Sequence, residues 1–279
     1  MRTYPALRVR PAVPNPEFAD LVAAALDDFG VIALQESEED DAVVAFFGDA
    51  GVRGRATAAL RAALPGVDVA SLDVPDENWA ERSQAALRAI RAGALTVAPP
   101  WDVPRDHGSD TIVIVPSTGF GTGHHATTRL CLEALQTLSL DGTAVMDVGT
   151  GSGVLAIAAS RLGAARVVAI DNDQDAVDNA ADNAAANGVA LDLRCASIED
   201  AGVGAAGPFD IVTANLTGAA LSRYAATLEA LTRLGGTIIL SGLREDEDAA
   251  VRDAFGRLEV IGRRAEDGWA CLVMTRSQA

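Results

Sequence analysis

The chain has 279 residues, a hydrophobic content of 49% and a formal net charge of −17. That length holds one large or two modest domains with a real core, and the acidic excess argues against nucleic acid as a main partner, because neutralising phosphates requires clustered Lys and Arg. A cationic protein suits this charge as a partner, and a self-repelling soluble surface accounts for it as well.

The chain contains no lysine, which removes Schiff-base and P-loop lysine chemistry. Cys131, Cys195 and Cys271 are odd in number and far apart, so no disulfide framework is expected. His107, His124 and His125 have no metal-ligand spacing to them, so no metal is expected either. No apolar run approaches the roughly 20 residues of a membrane span. Asp20, Asp27 and Asp28 interrupt the only leader-like stretch, and a cytoplasmic location is expected.

In chain order, Leu7 to Val13 reads as a strand, and Pro16-Glu17 opens a helix that Gly30 ends. Strands follow at Val31 to Gln35 and Ala42 to Phe47, on either side of the acid run Glu36 to Asp41. That run reads as a solvated turn or as a contact for a basic partner. An amphipathic helix from Arg53 to Leu64 and a strand from Val67 to Leu72 complete a βαββαβ order, which is the ferredoxin-like α+β unit. Asp76 is placed to cap a helix running through Trp79 to Ile90 as a connector. Strands at Leu95 to Ala98 and Thr111 to Val115 flank a Pro-rich turn with Trp101 and His107.

From Thr143 strands and helices alternate, which implies a mostly parallel sheet with right-handed crossovers. Helices are expected at Asp175 to Asn187, Leu221 to Leu234 and Asp246 to Phe255. Strands are expected at Leu191 to Cys195, Phe209 to Ala214 and Thr237 to Ser241, with a closing pair at Leu258 to Arg263 and Ala270 to Thr275.

The chemistry concentrates in three stretches. The first is an apolar strand, Asp147, and a turn with Gly149, Gly151 and Gly153, followed by a second apolar strand ending in Asp171. An acid there lies beside the first loop, where it can accept hydrogen bonds from both hydroxyls of a ribose. The dinucleotide fingerprint wants its third glycine where Val154 stands, so a nicotinamide oxidoreductase is disfavoured. The G-x-G-x-G spacing instead resembles motif I of the class I S-adenosylmethionine-dependent methyltransferases, whose cofactor has no diphosphate to cradle.

The second stretch, Pro116 to Thr128, packs three glycines and four threonines around His124 and His125, and loops that expose this much backbone usually approach a ligand. Thr127 or Thr128 is placed to cap the helix Arg129 to Leu138. Two roles are open to His125: acting on substrate, or hydrogen-bonding backbone to hold the loop. The third stretch ends a strand in Asn215, at the edge of the ligand crevice of a doubly wound sheet. A strand-end turn is the plain alternative for that Asn. Methyltransferases of adenine and glutamine carry N-P-P-Y here, whereas this chain has Asn215-Leu216-Thr217-Gly218.

Taken together, Phe120 to Thr128, the glycine core, Ile170 to Asp173 and Ala214 to Leu216 resemble the bacterial ribosomal protein L11 methyltransferase family. The likeness extends to Asn78-Trp79, Pro100-Trp101 and the front domain, although the loop opens Pro116-Ser117-Thr118-Gly119 where the family has Pro-Gly and an apolar residue. The resemblance implies a seven-stranded Rossmann-like methyltransferase domain over 101–279, a ferredoxin-like substrate-recognition domain over 1–75, and a helical linker over 76–100. It implies S-adenosylmethionine as cofactor and transfer to lysine and N-terminal amines of ribosomal protein L11, by a monomer without membrane or nucleic-acid partners. The alternative is another protein or a small-molecule amine as substrate. Implied cofactor contacts are Phe120, Thr122, Thr128, Asp147, Gly149, Gly151, Gly153, Asp171 and Asn215, with catalytic work at Asn215 and His125.

Overall fold

The computed structural model describes residues 3–11, 18–26, 29, 31, 33–36, 42–75, 87–105, 108, 110–116 and 124–277. The chain divides into two compact units, Met1–Arg82 and Ser83–Ala279. Among the described residues no helix is long and apolar enough to cross a membrane.

The first unit runs β1 (Thr3–Arg10), α1 (Phe18–Leu26), β2 (Ala33–Glu36), β3 (Val43–Phe46), α2 (Ala50–Ala63), β4 (Asp68–Pro75). Its sheet has the order β2-β3-β1-β4 with every neighbour antiparallel, which is the ferredoxin-like arrangement. Leu7 and Val9 face inward from β1 onto Phe18, Val22 and Leu26 of α1 and Leu60 of α2. β1 starts at Thr3, four residues before the expected Leu7, and β4 continues to Pro75 because it pairs with the whole of β1; Val13, the expected end of β1, lies outside the described residues. The second helix starts three residues ahead of the expected Arg53, since the Asp49 carboxylate accepts from Val52 N at 2.9 Å and caps it. The Pro16-Glu17 start, the Gly30 stop, the acid run beyond Glu36 and the connector from Asp76 to Ala86 lie outside the described residues.

The second unit opens with β5 (Ile90–Ala92), β6 (Leu95–Ala98) and β7 (Thr111–Val113), with a 3-10 turn at Pro100–Asp102. This corrects the helical connector at its C-terminal end. Residues 90–98 form an antiparallel hairpin, and β6 then pairs parallel with β7. The hairpin is held because Gly93 turns at φ 63° and Gln136 bonds the turn on both sides, at Ala94 N (2.7 Å) and Ala92 O (2.8 Å).

The large sheet is built from β8 (Ala144–Val148), β9 (Arg166–Asp171), β10 (Asp192–Cys195), β11 (Phe209–Asn215), β12 (Thr232–Arg244), β13 (Glu259–Glu266) and β14 (Trp269–Thr275). Its helices are α3 (Ala126–Leu135), α4 (Val154–Arg161), α5 (Gln174–Ala186), the single turn α6 (Ala201–Gly204), α7 (Gly218–Leu231) and α8 (Asp248–Ala254). The strand order is β10-β9-β8-β11-β12-β14-β13, parallel up to β12 and antiparallel at both edges of β14. This is the Rossmann-like seven-stranded sheet of the class I methyltransferase fold, with its reversed last strand.

Both faces of the central parallel strands β8, β9 and β11 are buried, which is why they read as continuous apolar runs. Val145, Val167 and Ala169 face one core with α3 and α4, while Met146, Val168 and Ile170 face the other with α7 and α8. The helix expected to reach Leu234 ends at Leu231, because Thr232 joins β12 opposite Phe209.

Candidate active site

The loop between β8 and α4 turns through left-handed backbone at Gly149, Gly151 and Gly153, with φ of 72°, 52° and 81°. L-residues with a Cβ are strained in that conformation and glycine is not. Gly149 N and Thr150 N both donate to Ile170 O at 2.9 Å, so β9 anchors the loop. Gly153 has a second task. A Cβ there would lie 3.1 Å from the Ala180 Cβ of α5, so it permits close packing between the start of α4 and α5.

The Asp171 carboxylate then fixes the loop from the side, accepting from Gly151 N at 2.9 Å and from Asp173 N at 3.1 Å. Asp147 lies beneath, 1% exposed, and accepts from Thr213 Oγ1 at 2.6 Å and Thr150 Oγ1 at 2.7 Å. Burial pushes its carboxyl above the usual carboxylate range; the two threonine hydroxyls oppose that, and the Asp171 charge adds to it. Asp147 is therefore a brace under the loop.

On the other side β11 ends at Asn215, level with Ser241 of β12. Leu216 N donates to Ser241 O at 2.9 Å, and Thr217 caps α7 through Ala220 N. Gly242, at φ 85°, lets the backbones meet, since a Cβ there would fall 2.2 Å from Leu216 O.

His125, not Thr127 or Thr128, is the cap of α3. Its Nδ1 accepts from Thr127 N at 3.4 Å and lies 2.8 Å from Thr127 Oγ1. The chain enters the helix earlier than a threonine cap would require, which puts both threonines in the first turn and buries them. The imidazole also meets Trp269 edge-on, with ring centroids 4.8 Å apart. Trp269 arrives on the β13–β14 hairpin, where Asp267 and Gly268 take φ of 52° and 77°, the two-residue turn that suits antiparallel twist. Arg129 ties that hairpin to α3, bonding Glu266 at 2.6 Å and donating to His124 O.

These pieces enclose a cleft of about 520 Å³, within the size range of small-ligand sites. His125, Gly149, Gly151, Asp171 and Asn215 line it; Thr128, Asp147 and Gly153 do not. Phe120 and Thr122 lie outside the described residues. Sequence reasoning missed Asn172, the Ala196 to Ile198 wall, Tyr224, Gly242 and Trp269. The Asp267-Gly268 turn was the available signal for Trp269.

The lining fits a nucleoside without phosphates better than a phosphorylated one, since no Arg of the described residues lines it. Asp171 commits two acceptor positions to backbone N–H groups, and a carboxylate has about four, which leaves room for a ribose diol. Ile170, Ala196 and Ile198 supply apolar flanks for a planar base.

Residues 23–277 match the family model described as ribosomal protein L11 methyltransferase. The relative of that name from Geobacter sulfurreducens is 42% identical over 204 residues, covering 72% of this chain and 67% of the relative. The one from Symbiobacterium thermophilum is 40% identical over 205 residues, covering 72% and 66%. The chain thus spans about two thirds of the length of these curated relatives. Among solved structures, the ribosomal protein L11 methylase from Lactobacillus delbrueckii subsp. bulgaricus matches with a TM-score of 0.63 at 28% identity, over 69% of this chain and 100% of that one. The chain belongs to the ribosomal protein L11 methyltransferase family.

Proposed function

We propose that the cleft binds S-adenosylmethionine and that the protein methylates lysine and N-terminal amines of ribosomal protein L11. The observation that carries this reading is the placing of Asp171, bonded to the glycine loop, and Asn215 on the walls of one cleft. When bound, the cofactor supplies an electrophilic methyl on a sulfonium, displaced in line by an amine lone pair, so the protein's task is alignment.

Asp171 would orient the ribose and the Gly149–Gly151 backbone would pass close under the cofactor's tail. An amine must reach the methyl unprotonated. A lysine amine has an ordinary pKa of about 10.4 and an α-amine about 7.7–8.0, so a partly desolvated site favours the reactive form. Asn215 lines the cleft with a neutral amide, and it would hold the amine nitrogen through Oδ1 without stabilising the ammonium as a carboxylate does. Trp269 and His125 would close the side of that amine position. The ferredoxin-like unit would select the ribosomal protein, and the acidic charge of −17 suits a lysine-bearing substrate. Work on a ribosomal protein belongs in the cytoplasm, and a monomer suffices because the described residues that line the cleft all belong to the second unit.

Intact mass of unmethylated ribosomal protein L11 after incubation with the enzyme and S-adenosylmethionine tests this. A ladder of methyl-sized increments, absent with Asp171→Ala, is expected. Cofactor binding without any increment would discard the ribosomal substrate in favour of another protein or a small-molecule amine, and no cofactor binding would discard the whole reading.

A further inference from the structure

The α5 segment carries asparagine at 179, 183 and 187, four residues apart and so on one face. Asparagine disfavours helix relative to alanine, yet alanine fills most of the neighbouring positions. The contacts give the reason. Four helical residues rise about 6 Å and two strand residues about 6.6 Å, so amides at this spacing can serve alternate residues of an extended strand. Asn187 accepts from Val113 N at 2.9 Å and donates to Val113 O at 2.6 Å. Asn183 accepts from Val115 N at 2.8 Å, and Asn179 donates to Val115 O at 3.4 Å. β7 is the edge of its three-stranded sheet, and the asparagines take the place of its missing neighbour.

Asn183 does more than its two companions. It is 0% exposed, and its Nδ2 donates to Ser152 O at 2.9 Å, inside the glycine loop. A single buried amide thereby joins the loop 149–153, which lines the cleft, to the extended segment 113–115. We propose that Asn183 is a positioning residue for the cofactor, setting the glycine loop and the extended segment 113–115 at a fixed separation. The proposal rests on the cofactor reading above.

The test compares Asn183→Ala, Asn183→Asp and Asn187→Ala by calorimetric binding of S-adenosylhomocysteine, melting temperature and hydrogen exchange. In its ionised form the carboxylate introduced by Asn183→Asp keeps the acceptor for Val115 N but has no proton for Ser152 O or for Asn179 Oδ1, so it breaks the tie to the loop and one contact within the helix while leaving the bond to the 113–115 segment. Both Asn183 variants are expected to weaken binding by about tenfold or more, the scale of one buried hydrogen-bond partner lost. Asn187→Ala removes bonds to β7 and to the Asn183 carbonyl of its own helix, and none to the loop. It is expected to stay within about threefold at a comparable loss of melting temperature. In exchange, amides of 113–115 and 149–153 should lose protection together in Asn183→Ala, and only the former in Asn187→Ala.

Wild-type affinity in both Asn183 variants overturns the proposal, as does an equal effect from Asn187→Ala. Should Asn183→Ala not fold, Asn183→Asp carries the comparison. Failure of the wild-type protein to bind S-adenosylhomocysteine overturns the cofactor reading instead, and the exchange pattern then decides the coupling by itself.

Discussion

Asp171 Oδ2 lies 2.9 Å from Gly151 N, so the carboxylate at the end of one strand holds the loop at the end of its neighbour. A ligand that engages Asp171 therefore meets a loop already set in place. Asp171→Ala is expected to lose roughly 10- to 100-fold in S-adenosylmethionine affinity, because charge-assisted bonds to backbone and ribose go together. Calorimetry measures it directly, and an unchanged affinity would remove Asp171 from the site.

Asn215 is expected to separate binding from turnover. Asn215→Ala should lower kcat by about tenfold or more while changing cofactor affinity by less than about threefold, as for an interaction made mainly with the reacting amine. Equal losses in both would place Asn215 on the cofactor alone.

The two roles open to His125 now have different weights, since its Nδ1 is committed to the start of α3. His125→Ala is expected to cost about 1 kcal/mol of stability, the usual value of a lost cap. Asn also caps helices well, so His125→Asn should recover most of that. If His125→Asn also recovers activity, the imidazole works through the helix start; activity lost at restored stability would make it a catalytic group.

Gly149 and Gly242 both press on Leu216, but on different atoms. A Cβ at Gly149 meets the end of the Leu216 side chain at 2.5 Å, whereas one at Gly242 meets its carbonyl oxygen at 2.2 Å. A side chain can rotate away and a backbone cannot. Each alanine also costs about 1–2 kcal/mol for left-handed backbone. Gly242→Ala should therefore lower the denaturant midpoint clearly more than Gly149→Ala, and the reverse order would contradict this packing.

Asp147 gives a pH signature. Burial raises its carboxyl above the ordinary value, so between the unfolded and folded pKa the native state holds more protons than the unfolded one. Stability from this group is then fully present below the unfolded pKa and is lost as pH rises through the folded pKa. Asp147→Asn should flatten that fall in urea titrations run from the ordinary carboxylate range upward. An unaltered slope would show that other groups cause it.

Much of this molecule is legible along the chain because local chemistry determines it. Parallel strands buried on both faces read as apolar runs, and Gly149 to Gly153 announce a loop only glycine can make. The ferredoxin-like order follows from alternation and helix stops. What escapes such reading depends on distant partners. Trp269 and Tyr224 reach the cleft by topology, 54 and 9 residues beyond Asn215 in sequence. Leu95 to Ala98 reads as a strand, but its hairpin partner at Ile90 reads as the end of a helical connector, because the Gln136 side chain that bonds their turn is 42 residues from Ala94. The asparagine face of α5 is silent in sequence because helical periodicity is searched for apolar residues, and here the buried stripe is polar and serves backbone.

The reversed last strand also governs when the site can exist. β14 lies between β12 and β13, although it is made after both. During synthesis, a chain complete only to Glu266 has the two flanking strands but nothing to join them, and the edge of β12 is unpaired. Trp269, Glu266 against Arg129 and the Cys271 layer of the core come together only when the final strand enters. The glycine loop is made early, more than a hundred residues before, yet its cleft lacks the Trp269 side until then. Assembly of the catalytic unit is thus gated by its last element, and an unfinished chain has no finished site with which to engage cofactor or partner.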